Sequence, residues 1–315
     1  MKMITLFSVI LFSISGLSQN QEFTVLASKG DVHVKRLAGS WQPVSIGAKL
    51  FKGETIKLNK NNYLGLLHAT GKTKELKTEG SFNVSDLGGA FDSQKASVSS
   101  KFAGYLLQEF MNKSDTKKEM ENLGAVVRQG IEKIELDFPK NTLIMDSTIQ
   151  FAWFPREHGE KYIFQIINGA KNTVFMKEIS DSFIVIDVNE LQFEKGKPYQ
   201  WELFSSVNDE IHSDTSIFEL LPGNQKQTVM IELRELLKEL DYDETSLNYL
   251  IIAKYFEQNK LTANANKYYE KSVAGAPGVD DYFFAYIKFL QTNGMQTKAE
   301  LLAREKGTIY SGENR

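Results

Sequence analysis

The sequence predicts a multidomain chain of β and α parts: a small β domain with a helical extension, a β-sandwich, and C-terminal α-helical repeats. Three observations predict it. Between Phe23 and Val84, short stretches of alternating apolar and polar residues are punctuated by Gly30, Gly47, Gly53 and Gly71, the pattern of strands joined by tight turns. Between Leu136 and Leu221, aromatic and β-branched runs recur at a spacing of about ten residues, as in an antiparallel sandwich. In the last third, apolar and small residues repeat with a period of 34, and such a period marks stacked helical units.

Residues 1–18 read as an export signal. Met1-Lys2-Met3 is a minimal basic start, residues 4–14 are apolar and uncharged, and Ser15-Gly16-Leu17-Ser18 supplies small residues for a cut after Ser18. That order is the secretory pattern, and the apolar run is shorter than the roughly 20 residues of a permanent span. A buried N-terminal strand is the alternative reading. No cysteine follows the run, so a lipid anchor is not expected, and the mature protein is expected in the periplasm or outside the cell. The chain has no cysteine at all, which excludes a disulfide framework, a thiolate metal site and a cysteine nucleophile. A formal net charge of −3 gives no basic excess for nucleic acid or an anionic membrane. No later window is apolar enough for an integral membrane span.

Residues 22–85 form the first β domain. Val25-Leu26-Ala27 leads into the Gly30-Asp31 turn, Val32-His33-Val34 alternates as a half-buried strand, and Leu37-Ala38-Gly39-Ser40 turns before Trp41. Tyr63-Leu64-Gly65-Leu66-Leu67 is its most apolar strand, and Thr70-Gly71-Lys72 reads as a hairpin tip before Thr73 to Leu76. The succession Gly30-Asp31-Val32-His33-Val34, Trp41-Gln42-Pro43-Val44, Gly47-Ala48-Lys49-Leu50 and Gly53-Glu54-Thr55-Ile56 resembles the FecR domain family. Glu54 stands where that family usually has Asp, and Thr70 where it has an acidic residue, but the glycines that carry the positive-φ requirement are kept. In its best-known members the family implies a periplasmic sensor of iron-siderophore transport, preceded by a cytoplasmic anti-sigma segment and a membrane helix. With an export signal at residue 1, that regulatory role is not expected here.

Residues 86–135 form a helical connector. Phe102, Tyr105, Leu106, Phe110 and Met111 recur at helical spacing, and Met120, Leu123, Val126 and Val127 resume it after a polar stretch. The spacing predicts a helix or helix pair packed beside the first β domain. A membrane-surface helix is the sharper alternative, but the polar face mixes charges and lacks a basic run.

Residues 136–221 carry the second set of strands. Ile149 to Phe154, Tyr162 to Ile167, Phe183 to Ile186 and Pro198 to Leu203 are separated by Gly159, Ser180-Asp181 and Gly196. The order Trp153, Tyr162, Leu191, Tyr199, Trp201 resembles a fibronectin type III or similar immunoglobulin-like domain, with Leu191 and Tyr199 placed as in a tyrosine corner. Trp153 and Trp201 read as core residues on alternating strands, with a carbohydrate-stacking pair as the alternative.

Residues 225–313 are helical. Met230, Leu233, Leu236, Leu237 and Leu240 mark one amphipathic helix, after which Ala253, Tyr255, Phe256, Leu261 and Ala265 align with Ile287, Phe289, Leu290, Met295 and Ala299 at a period of 34. This pattern, with Tyr249, Ile252, Tyr269 and Pro277, resembles tetratricopeptide repeats. The resemblance implies a concave groove lined by the first helix of each repeat. Leu250, Lys254 and Glu257 of the first repeat, and Phe284, Lys288 and Gln291 of the second, would face it. Lys254 and Lys288 stack at the repeat period, an arrangement suited to an acidic peptide or a C-terminal carboxylate. A solvated helix face is the plainer reading.

No catalytic constellation is visible. His33, His68, His158 and His212 form no ligand pair at metal spacing, and the phosphate-binding and nucleophile-elbow motifs are missing. Asp241-Tyr242-Asp243-Glu244 lacks the glycine and distal glutamate of a calcium loop and reads as a helix end. No cofactor or metal is expected. The sequence therefore points to an exported non-enzymatic envelope scaffold, its β modules binding or orienting envelope components and its repeats binding a partner protein or peptide. A surface glycan or cell-wall binder is the alternative, and an envelope hydrolase with an unrecognised site the next.

Overall fold

The computed structural model describes residues 21–37, 39–88, 98–112, 133–157 and 159–313. The expected export signal, the part of the connector that holds Met120, Leu123, Val126 and Val127, and His158 lie outside the described residues.

The first domain contains β1 (Gln21–Lys29), β2 (Val32–Lys35), β3 (Trp41–Pro43), β4 (Lys49–Phe51), β5 (Thr55–Leu58), β6 (Tyr63–His68), β7 (Thr73–Leu76) and β8 (Gly80–Asn83), followed by the short helix α1 (Val84–Gly88). They form two four-stranded antiparallel sheets, ordered β4-β1-β6-β7 and β3-β2-β5-β8. Alternation makes the core: Val32 and Val34 point inward and Lys35 outward on β2, and Phe23, Leu50, Ile56, Leu64 and Leu66 meet them. Glu54 is buried and holds the turn after β4 together, accepting two 2.9 Å hydrogen bonds from Arg36 Nη1 and one from the Phe51 amide. β1 and β6 are buried along most of their length on both faces, with Glu22 and Thr24 among the buried residues of β1. Val25 points into the sandwich, whereas Leu26, Ala27 and Tyr63 belong to a second core made by the helices.

Helix α2 (Val98–Met111) is the described part of the connector. It lies against β1 of the first domain, and its apolar stripe of Phe102, Ala103, Leu106 and Phe110 shares one cluster with Leu26, Ala27 and Tyr63 and with the C-terminal helices, a second neighbour the spacing did not reveal.

The middle domain contains β9 (Glu135–Phe138), β10 (Thr142–Ile144), β11 (Thr148–Phe154), β12 (Tyr162–Asn168), β13 (Thr173–Ile179), β14 (Phe183–Asp187), β15 (Pro198–Ser205) and β16 (Ser216–Leu220). A three-stranded sheet, β14-β11-β9, faces a five-stranded one, β10-β16-β15-β12-β13, with only the β10–β16 pair parallel. Between them Phe151, Trp153, Phe164, Trp201 and Phe218 pack mostly edge to face, the arrangement aromatic quadrupoles prefer. The Glu194 amide donates to Tyr199 Oη at 2.9 Å, closing the tyrosine corner. Strands β9, β10, β13 and β16 have no counterpart in the sequence reading. Most of β13 is exposed, so no burial alternation marks it.

Five helices complete the chain: α3 (Gly223–Glu239), α4 (Ser246–Gln258), α5 (Thr262–Gly275), α6 (Asp280–Thr292) and α7 (Gln296–Glu313). The first residues of α4 and α6 are 34 apart, as are those of α5 and α7. Thr245 caps α4 by accepting the Asn248 amide at 3.2 Å. Ala253 and Ala265 are fully buried where α4 and α5 meet, since only small residues let two helices approach this closely. Among the described residues no helix is long and apolar enough to cross a membrane.

Gly65 shows how the first domain meets the helices. A Cβ at this position would lie 3.3 Å from Leu247 on α4 and 3.3 Å from the Tyr282 hydroxyl on α6. Glycine in a strand interior often marks such a close approach. Beside it the Tyr63 and Tyr282 hydroxyls are 2.6 Å apart, and Glu75 accepts hydrogen bonds from Tyr63 Oη at 2.9 Å and from the Leu247 amide at 2.6 Å.

Candidate functional site

The six groove residues deduced from the repeat spacing sit on α4 and α6, the first helices of the two helical pairs. The structure brings three of them together around a residue that the sequence does not single out, Glu109 of α2. Lys254 Nζ lies 2.8 Å from Glu109 Oε2, and Lys288 Nζ lies 3.6 Å from Glu109 Oε1. Lys254 also reaches Glu257 at 3.0 Å, and Glu257 accepts a hydrogen bond from the buried Tyr269 hydroxyl. The two stacked lysines thus hold a carboxylate, and that carboxylate is the chain's own.

The helix that carries Glu109 packs on α4, the helix that supplies Leu250, Lys254 and Glu257. Phe102 meets Tyr255 edge to face with ring centroids 5.2 Å apart. At the start of α2 the Ser99 amide donates to Glu239 of α3 at 2.7 Å, and the Ser99 hydroxyl donates to the Gly71 carbonyl at 2.8 Å. A carboxylate at a helix N-terminus satisfies orphan amides and opposes the helix dipole. Leu250 is accordingly core rather than groove surface, fully buried in the cluster that includes Phe102 and Leu106. Phe284 and Gln291 are half-buried and Lys288 is exposed, so the second repeat keeps part of its face open.

Lys254 is the electrostatic centre. Burial pushes its ammonium group down, but Glu257 and Glu109 outweigh that penalty and hold it above the ordinary lysine range. The nearby phenol of Tyr269 is pushed up strongly by its complete burial and by Glu257. Both shifts describe a closed polar lock in which each charge has a partner, as buried charges require.

The remaining candidates are dispersed. His33 on β2 and His68 on β6 lie in different sheets, and no group of three or more histidine, aspartate or glutamate side chains that would hold a metal occurs among the described residues. Trp153 and Trp201 are buried, with Trp201 Nε1 donating to the Pro139 carbonyl at 2.8 Å, whereas Trp41 on β3 is 42% exposed. Asp241 and Tyr242 follow α3 with φ of 55° and 57°, ending that helix. On the outer face of the five-stranded sheet a shallow depression of about 580 Å³ is lined by Ile163, Gln165, Met176, Phe204 and Val207. Ser205, Ser206, Asn208 and Asp209 complete its lining.

No family model matches the chain, and no curated protein matches it. Solved structures give distant likenesses. The fibronectin type III domain of human fibronectin type III domain containing protein 3 is 12% identical, with a TM-score of 0.22, covering 32% of this chain and 94% of that one. The FN1-FN3 domains of chicken CNTN1 are 9% identical at a TM-score of 0.19, covering 64% of this chain and 57% of that one. A beta-1,2-glucanase from Parabacteroides distasonis is 8% identical at a TM-score of 0.24, covering 90% of this chain and 48% of that one. These likenesses are too remote to inform function.

Proposed function

We propose that this protein is an exported, non-enzymatic scaffold of the bacterial envelope, in which a FecR-like domain, a fibronectin type III-like sandwich and tetratricopeptide-like repeats present surfaces to partner proteins. The observation that carries the reading is Glu109 between Lys254 and Lys288. A surface of the repeats suited to an acidic helix is used to bind the chain's own connector. The first domain and the repeats become one rigid support, as a platform that orients other components requires. Repeat geometry supports the tetratricopeptide-like part through the matched helix pairs and the buried Ala253 and Ala265. The surfaces left for partners are then the second repeat around Lys288 and Gln291, and the outer face of the sandwich.

Cutting the chain after Leu221 is a poor test, because it would uncover Leu26, Ala27, Tyr63 and the whole apolar stripe of α2. The better experiment uses the full mature chain as bait in envelope extract, compared with Lys288→Glu plus Gln291→Ala and, separately, with Val207→Asp. Loss of a specific protein partner in one variant, with the fold kept, is the expected outcome. If neither variant changes what is recovered, and the intact chain instead retains a cell-wall glycan, the scaffold reading gives way to glycan binding.

A further inference from the structure

Among the described residues the four sheets end in eight edge strands, and seven of them are covered or blunted. β3 contains Pro43, which removes a donor, and β4 is only three residues long. β8 is four residues that begin with Gly80 and run into α1. β7 faces α4, where the Leu247 amide bonds Glu75. β10 pairs its Leu143 amide with the Lys260 carbonyl at 3.0 Å. β9 carries Glu135 and Asp137 against α7, and β13 carries Lys177 and Glu178. These are the devices by which proteins prevent edge-to-edge pairing.

Among the described residues β14 is the least protected edge, its one charge, Asp187, lying at its end. Its Phe183-Ile184-Val185-Ile186 run is uncharged, pairs with β11 in unbroken register, and shows Phe183 and Val185 at 48% and 54% exposure. The free edge also offers hydrogen bonds. The Trp153 amide donates to the Ser182 carbonyl and the Val188 amide to the Ser147 carbonyl, so the even-numbered residues face β11. Because residues two apart along a strand point their backbone groups the same way, the N–H and C=O groups of Phe183 and Val185 and the N–H of Asp187 face outward from the sheet, while the Asp187 carbonyl accepts the Glu190 amide at 3.2 Å.

We infer that β14 is a self-association edge and that its occupant is β14 of a second copy, paired antiparallel about a two-fold axis through Val185. The strand is complementary to itself. In this register Val185 meets Val185, Ile184 meets Ile186 on the inner face, and Phe183 reaches Val185 diagonally, within the range of aromatic cross-strand contacts. Charge selects it over the neighbouring register centred on Ile184, which would set Asp181 opposite Asp187 twice. Here Asp181 lies opposite Asn189, and Asp187 already accepts both the backbone and side-chain N–H groups of Asn189 at 2.8 Å. Two three-stranded sheets become one continuous six-stranded sheet through a closed, isologous contact. One strand pair covers less than the roughly 1,200–2,000 Å² of a stable interface, so the dimer is weak and concentration-dependent.

The absence of cysteine makes the test clean. Sedimentation velocity of the full mature chain is expected to shift from monomer toward twice that mass as concentration rises, and Val185→Lys is expected to abolish the shift. Independently, Val185→Cys places the only two thiols on the two-fold axis, where paired Cα atoms about 5.5 Å apart suit a disulfide. Oxidation is expected to cross-link Val185→Cys at least tenfold faster than Met176→Cys on the charged edge β13. A chain that stays monomeric at every concentration, a dimer that survives Val185→Lys, or equal cross-linking of the two cysteine variants would each overturn the inference.

Discussion

Lys254 carries its charge into the core of the protein, and its two carboxylate partners explain why that is tolerated. An isolated ammonium group in such a position would lose its proton or unfold the site, whereas Glu109 and Glu257 keep Lys254 charged. Removing one member of a buried pair leaves the others uncompensated, at a cost of about 3–5 kcal/mol. Lys254→Met is therefore expected to lower stability by about 3 kcal/mol in urea unfolding. Lys288, whose side chain is 53% exposed and sits 3.6 Å from Glu109, is expected to cost below about 1 kcal/mol when changed to Ala. The pH dependence follows from the raised pKa of Lys254. A base whose folded pKa is raised contributes its full stability below the unfolded lysine value of about 10.4 and loses it as pH rises through the folded value. The gap between the wild type and Lys254→Met should be flat from about pH 6 to 9 and shrink only above about pH 10.4. Equal losses for the two lysine variants would show that Glu109 is held by packing rather than by charge.

At the scale of elements, α2 ties the others together. Its buried face meets α3, α4 and α6, while Gln108 is exposed. Leu106→Ala is expected to cost about 2–5 kcal/mol through the cavity it leaves, and Gln108→Ala to stay within about 0.5 kcal/mol, both read from unfolding midpoints. A small loss for Leu106→Ala would mean that α2 is laid on the helices rather than built into them. The helix itself was legible in the sequence, because Phe102, Leu106 and Phe110 recur at helical spacing. Its docking site was not, because periodicity reports that a face is buried and not what buries it; Glu109 meets a lysine 145 residues away. The repeats were legible for the opposite reason: their contacts are between neighbours, so Ala253 and Ala265 encode the α4–α5 approach locally. Hairpin tips such as Gly71, with φ of 87°, were legible through backbone chemistry. The exposed edge strand β13 was not, because an edge that buries little leaves no apolar alternation to read.

Across the whole molecule, sequence order and physical unity diverge. The first domain and the C-terminal helices are separated by the sandwich in the chain, yet Leu26, Ala27 and Tyr63 share one apolar cluster with α2 to α7. The sandwich keeps a cluster of its own, from Ile134 to Leu220. It meets the helices through apolar contacts of Phe138, Leu143 and Met145 and through polar bonds: the Leu143 amide to the Lys260 carbonyl, the Thr262 amide to Thr142 Oγ1 at 3.0 Å, and Lys140 Nζ to the Gly294 carbonyl at 2.8 Å. Cooperativity follows shared apolar cores more than chain adjacency, so unfolding should divide the chain into two units, the outer thirds together and the sandwich alone. Calorimetry is expected to resolve two components. Trp201→Ala, which empties the centre of the sandwich at about 3–5 kcal/mol, should lower one of them. Gly65→Val, which pushes β6 away from Leu247 and Tyr282, should lower the other. If each substitution moved both components together, the junction of Phe138, Leu143, Met145 and the polar links would be strong enough to fuse the two cores. The chain would then unfold as one body, and the sandwich would move rigidly with the repeats instead of presenting its edge and outer face as a separate module.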